Sequence, residues 1–266
     1  MAALALARRV WRDFSQDDCG FMAAAVAYQM FFALLPFLLL LAGVLSLFLT
    51  SQQLRQEVVV LLRDVFPGAV DRRLVDEIVA SGGLSLGIGL VGTIWGVTAI
   101  HASLDRALRA VIQGGSRHFI RSRLEGLAFA ILLSILAVLS FALSFVVQAA
   151  AGWLRSAGVA TTPREALLIV SPIAGLLAGF VLFYVIYRIV PRRRMPRMAV
   201  VVGALVAAVL WEVAKIAFAL LAREAGVFKG YGVLALAAAL LTWIYLTALI
   251  LLLGAEVMKA WSERTA

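Results

Sequence analysis

One cysteine, two histidines and a thin supply of charge limit what this chain of 266 residues can be. The lone Cys19 excludes an intramolecular disulfide, and no Cys/His spacing suits zinc, so no metal and no cofactor is expected. Only 15% of the residues are charged, against about 25% in an ordinary soluble domain. No HxHxDH run, no phosphate-binding glycine loop and no nucleophile–base pair can be read, and no cluster of Asp and Glu falls in a loop assigned to the cytoplasm. An enzyme is therefore not expected. What is abundant is apolar sequence, 64% of the chain, gathered in blocks that reach the roughly 20 residues a helix needs to cross hydrocarbon. The net charge of +9 would suggest nucleic acid in a soluble protein. Here most of the arginine lies between apolar blocks, where it sets orientation, and no nucleic-acid partner is expected.

The blocks predict an all-α polytopic membrane protein, a single domain over residues 1–266. Its six-helix bundle has spans at about 21–49, 85–104, 124–150, 166–190, 199–222 and 233–258. Arg8, Arg9 and Arg12 precede the first run, which is too long for a signal-peptide core of about 7–15 residues and holds Pro36 as a potential kink. Upstream, Leu4, Ala7, Trp11 and Phe14 recur at helical spacing and predict a short helix on the cytoplasmic face. Arg106, Arg109, Arg117, Arg121 and Arg123 are read as the 2–3 loop, and Arg188, Arg192, Arg193, Arg194 and Arg197 as the 4–5 loop. Positive-inside logic places these loops and both termini in the cytoplasm. The latter group is also the candidate contact for lipid headgroups. Residues 50–84 then fall outside, where "LRQEVVVLLRDVF" and "DRRLVDEIVAS" predict two short amphipathic helices over the mouth of the bundle. The small-residue pairs Gly83/Gly87, Gly92/Gly96, Gly175/Gly179, Ala23/Ala27 and Gly203/Ala207 predict close helix packing, with oligomerisation through such faces also open.

Inside the fifth run, "VVVGALVAAVLWEVAKIAFALL", stand Glu212 and Lys215. Glu212 lies about 13 residues in, roughly 20 Å along the helix and past the midplane. A charge at the centre of a bilayer costs roughly 2.5–3.5 kcal/mol, so both groups should face protein or a hydrated cavity. Positions three apart share a face and can neutralise each other. One reading is an ion pair that locks the fifth span to its neighbours. The other is a polar cavity for an ionic or zwitterionic substrate or a proton relay. Tyr28, Gln29, Asp105, Arg106 and Glu256 are further polar groups in or at the ends of spans and complete the candidate site.

Four stretches carry a resemblance: "AAAVAYQMFFALLPFLLLLAGV", "LGIGLVGTIWGVTAIHASLDRALRAV", "YRIVPRRRMPRMAVVVGALVAAVLWEVAKIAF" and "YGVLALAAALLTWIYLTALILLLGAEV". In that order and spacing the chain resembles the YihY/BrkB family of bacterial inner-membrane proteins over about residues 8–262. It departs from the family's pattern at "DRALRAV" after the second span and at "ALLPF" in the first. The resemblance implies a bacterial inner-membrane location and brings two historical labels, ribonuclease BN and a serum-resistance virulence factor, with a link to lipid or lipopolysaccharide export. Three functions follow as expectations. The first is a transporter or flippase-like protein for a lipid or other amphipathic or anionic substrate, with membrane lipids as partners. The second is a non-catalytic envelope scaffold. The least favoured is a membrane-associated ribonuclease, because the chain's two histidines, His101 and His118, form no readable acid–base pair.

Overall fold

A computed structural model describes residues 2–48, 82–112, 153, 156–157, 163–191, 195–224 and 234–265. Six long helices account for nearly all of them: α1 (Ala2–Gln16), α2 (Cys19–Phe48), α3 (Gly82–Ile112), α4 (Pro163–Ile189), α5 (Arg197–Glu224) and α6 (Ala235–Thr265). No strand occurs among the described residues. The helical membrane architecture follows from apolar runs in which the backbone's polar groups must bond within their own segment. α2, α3, α5 and α6 are long and apolar enough to cross a bilayer, and α4 holds a shorter apolar stretch, Ile173–Ile189. The expected span at 124–150 and the external segment up to residue 81 lie outside the described residues.

The chain divides into two units, Met1–Tyr28 with His101–Ala266, and Gln29–Ile100. In the second, α3 lays a glycine edge on α2. A Cβ on Gly96 would stand 2.8 Å from Ala33 Cβ, one on Gly92 2.5 Å from Pro36 Cβ, and one on Gly43 2.5 Å from the Leu86 nitrogen. Close backbone approach of this kind gives dispersion contact where lipid removes the hydrophobic drive. α2 runs unbroken through Pro36. Gly83 and Gly87 do not take part: a Cβ on either meets nothing within 4 Å, because they sit on the other side of α3 from Gly82 and Gly89.

In the first unit α5 packs on both α4 and α6. Gly179 of α4 receives the Trp211 ring, and Gly203 of α5 crosses Gly254 of α6, where a Cβ on Gly203 would lie 2.7 Å from the Gly254 carbonyl. Tyr187, wholly buried, donates its hydroxyl to the Leu251 carbonyl at 2.6 Å. α3 continues to Ile112 and buries Leu104, Ala107, Leu108 and Val111. Arg106 and Arg109, read above as loop residues, therefore lie on its last turns, since "DRALRAV" contains neither Gly nor Pro to stop the helix.

α1 is more than an interfacial helix. One edge, Leu6 and Val10, joins Val257, Ala260 and Leu253 of α6 in one apolar cluster, to which Val202 and Val206 of α5 also belong. The neighbouring edge carries Trp11, 66% exposed and stacked on Phe14 at 6.1 Å. α1 meets α2 at Asp17–Asp18, where Asp18 has φ 50°, the left-handed region that Asp tolerates better than most residues.

Candidate functional site

Glu212 and Lys215 share one face of α5, and the structure brings them together. Lys215 Nζ lies 2.6 Å from Glu212 Oε1. Both tips rest over Gly175 of α4, where an added Cβ would stand 2.6 Å from Oε1 and 2.9 Å from Nζ. The glycine thus makes room for the pair. Lys215 also sits 5.0 Å above the Trp211 ring, a cation–π contact. Trp211 belongs to an aromatic wall, edge-to-face with Phe183 at 6.1 Å and tilted against Trp243 at 6.3 Å, with Phe218 5.2 Å from Trp243.

The Lys215 ammonium satisfies Glu212 Oε1, whereas the Trp211 Nε1 donor is buried without an acceptor among the described residues. The side chains keep 20% (Glu212) and 37% (Lys215) exposure. Among the described residues neither reaches a charged group on another helix.

Glu256 stands elsewhere, in a second cluster built by the α1–α2 corner and α6. Its side chain is 1% exposed. Lys259 Nζ is 3.5 Å from Glu256 Oε2 and 2.9 Å from Asp17 Oδ2. The Cys19 thiol approaches Glu256 Oε1 at 3.8 Å. On the outer side of this cluster Arg9 pairs with Glu263 and, at 3.5 Å, with Asp13. This is a cross-helix charge network of the kind that one of the two readings of Glu212 and Lys215 calls for. Asp17 and Lys259 were not singled out from sequence. A signal existed: "EVAK" at Glu212–Lys215 recurs as "EVMK" at Glu256–Lys259, with the same i,i+3 spacing.

The other predicted residues do not converge on either place. Asp105 is buried and paired with Arg109 at 3.0 Å, whereas the exposed Arg106 turns back to the Ala102 carbonyl. Tyr28 lies on an exposed side of α2, and Gln29 falls in the second unit. Arg188 and Arg197 are exposed at facing helix ends, with Arg192, Arg193 and Arg194 between them outside the described residues. No group of three or more His, Cys, Asp or Glu among the described residues is placed to hold a metal.

Comparison with known proteins matches the profile of the "Virulence factor BrkB" family to residues 10–266. The chain is 29% identical over 263 residues to the UPF0761 membrane protein of Cronobacter sakazakii, covering 96% of this chain and 87% of that protein. It is 32% identical to the UPF0761 membrane protein YihY of Escherichia coli O7:K1 over 199 residues, and 32% identical to that of Salmonella typhimurium over 197. Each match covers 74% of this chain and 66% of the relative, just under two thirds of its length. No solved structure matches.

Proposed function

Since the chain belongs to the YihY/BrkB family of multi-pass membrane proteins, we propose that it moves a lipid or other amphipathic or anionic substrate across the bacterial inner membrane, without enzymatic chemistry. Glu212 and Lys215 are its polar station within the fifth span. One observation carries this reading: the pair lies inside an apolar helix, keeps partial exposure, and among the described residues makes no charge contact to another helix. A pair serving only to lock helices would be buried between them, because a charge in hydrocarbon is otherwise costly. Both termini and the arginine-bearing ends of α4 and α5 are assigned to the cytoplasm, where anionic headgroups attract them.

Reconstitution into liposomes with acyl-chain-labelled phospholipids tests this. The wild-type chain should exchange label between leaflets faster than the Glu212→Gln/Lys215→Met double variant. Equal rates for the two would remove the pair from any transport role. A second reading, an envelope scaffold, draws on the outward edge of α1, where Trp11 stands exposed beside Arg8 and Arg12. It predicts a protein partner recovered in stoichiometric amount from native membrane and lost on Trp11→Ser.

A further inference from the structure

We propose that the outer edge of α1, formed by Arg8, Trp11 and Arg12, is a docking surface for anionic phospholipid in the leaflet at which α2 begins. The assignment does not depend on the transport reading. Position is its first ground. α1 ends at Gln16 and α2, long and apolar enough to cross a bilayer, begins at Cys19, so α1 stands where the chain enters the membrane. Its inner edge shares an apolar cluster with Val202 of α5 and Ala260 of α6. Val202 lies within two turns of Arg197, where α5 begins, and Ala260 within two turns of Thr265, where α6 ends. α1 is thereby held beside the ends of crossing helices, at the level of lipid headgroups.

Charge is the second ground, because α1 sorts its charges by edge. Asp13 and Asp17 turn inward and are half-buried, and Arg9 is taken up by Glu263 and Asp13. Arg12 touches only Asp13 among the described residues, at 3.4 Å, and its side chain stays 67% exposed. Arg8 is exposed and pairs with no acid among the described residues. Asp18 is exposed too, but it lies in the corner past the end of α1. Arg8 and Arg12, four positions apart, share a face where like charges repel. A phosphodiester between them accepts from both guanidiniums and removes that repulsion. Trp11 is the third ground. It stands exposed on the same edge, stacked on Phe14. An indole joins a large apolar body to one polar N–H, which suits the boundary between headgroups and acyl chains. A soluble anion would leave that body in water.

The test uses the purified full chain in phosphatidylcholine nanodiscs, with a minor share of acyl-brominated phosphatidylglycerol or acyl-brominated phosphatidylcholine. Bromine quenches indole emission on contact. The chain has six tryptophans, so Trp11 is read as the difference between wild type and Trp11→Phe. Brominated phosphatidylglycerol should quench Trp11 several-fold more than the same share of brominated phosphatidylcholine, since each basic residue at a membrane surface favours anionic lipid about five-fold. Arg8→Gln/Arg12→Gln should be quenched equally by the two lipids at an unchanged melting temperature, which separates lost selection from misfolding. Raising the ionic strength from about 0.05 to about 0.5 M should remove most of the preference in the wild type, with no variant needed. Equal quenching of wild-type Trp11 by the two lipids, no quenching by either, or a preference that survives the double variant or the added salt would overturn the proposal. So would a protein partner recovered from native membrane in stoichiometric amount and bound across Trp11, which the scaffold reading requires.

Discussion

The pattern Glu-Val-x-Lys occurs on α5 and again on α6, and the two copies have opposite fates. On α5 the lysine stays with its own glutamate at 2.6 Å and the intervening Val213 points outward, 57% exposed. On α6 the lysine is drawn away, 3.5 Å from Glu256 but 2.9 Å from Asp17, and Val257 is packed beneath α1. Identical spacing on similar helices therefore does not decide the role. The deciding element is the chain delivered to the motif's face. The corner at Asp18 brings Asp17 and Cys19 onto α6, while α4 lays the backbone of Gly175 against the Glu212 and Lys215 tips of α5. One copy is a joint between helices, and the other, among the described residues, is a neutral pair that stays on its own helix.

Removing the lysine from each copy should break this comparison at its strongest point. Lys259→Met strands Glu256 in a buried place and should cost about 3–5 kcal/mol, seen as a large fall in melting temperature and in monodisperse yield from membranes. Glu256→Gln/Lys259→Met should recover only part of the loss, because Asp17 remains without its cation. A Lys259→Met protein with wild-type melting would mean that the α6 cluster is no joint. Lys215→Met should cost less, because the carboxylate it strands keeps 20% exposure against 1% for Glu256. Glu212→Gln/Lys215→Met should restore that stability without restoring transport; restored transport would return the α5 pair to a purely structural role. The smallest effect on stability is expected from Gly175→Ala. Helix propensity gains about 0.5–1 kcal/mol and offsets the displacement of two flexible side-chain tips. Melting should be unchanged while leaflet exchange falls, and unchanged exchange would detach Gly175 from the site.

α2, α3, α5 and α6 were readable because each carries an apolar run of the length a bilayer demands, and Glu212 with Lys215 was readable because both members of the pair lie within one run. What could not be read were partners far apart in the chain. Asp17 and Lys259 are separated by 242 positions, Cys19 and Glu256 by 237, and no periodicity joins them. Glu256 stands out in the sequence as a polar residue ending a span, but nothing local joins Lys259, three positions on, to Asp17. The small-residue pairs were a mixed guide. Gly175 and Gly179 do line a packed face, yet Gly83 and Gly87 do not, because several faces of α3 carry glycine and only the partner helix selects among them. The extent of α3 was underestimated for a related reason: its last turns carry Arg106 and Arg109, and charge there was taken as the mark of a loop.

The 242 positions between Asp17 and Lys259 are also an interval in time. At about 5–20 residues per second of synthesis, the corner after α1 is made some tens of seconds before the lysine that will neutralise it. Throughout that interval α1 has no α6 to pack on, and Asp17 must keep its charge in water at the membrane surface. α6, made after the other described helices, is thus the one that fastens α1, so a ribosome that stops short of residue 259 leaves α1 without the cation that fastens it.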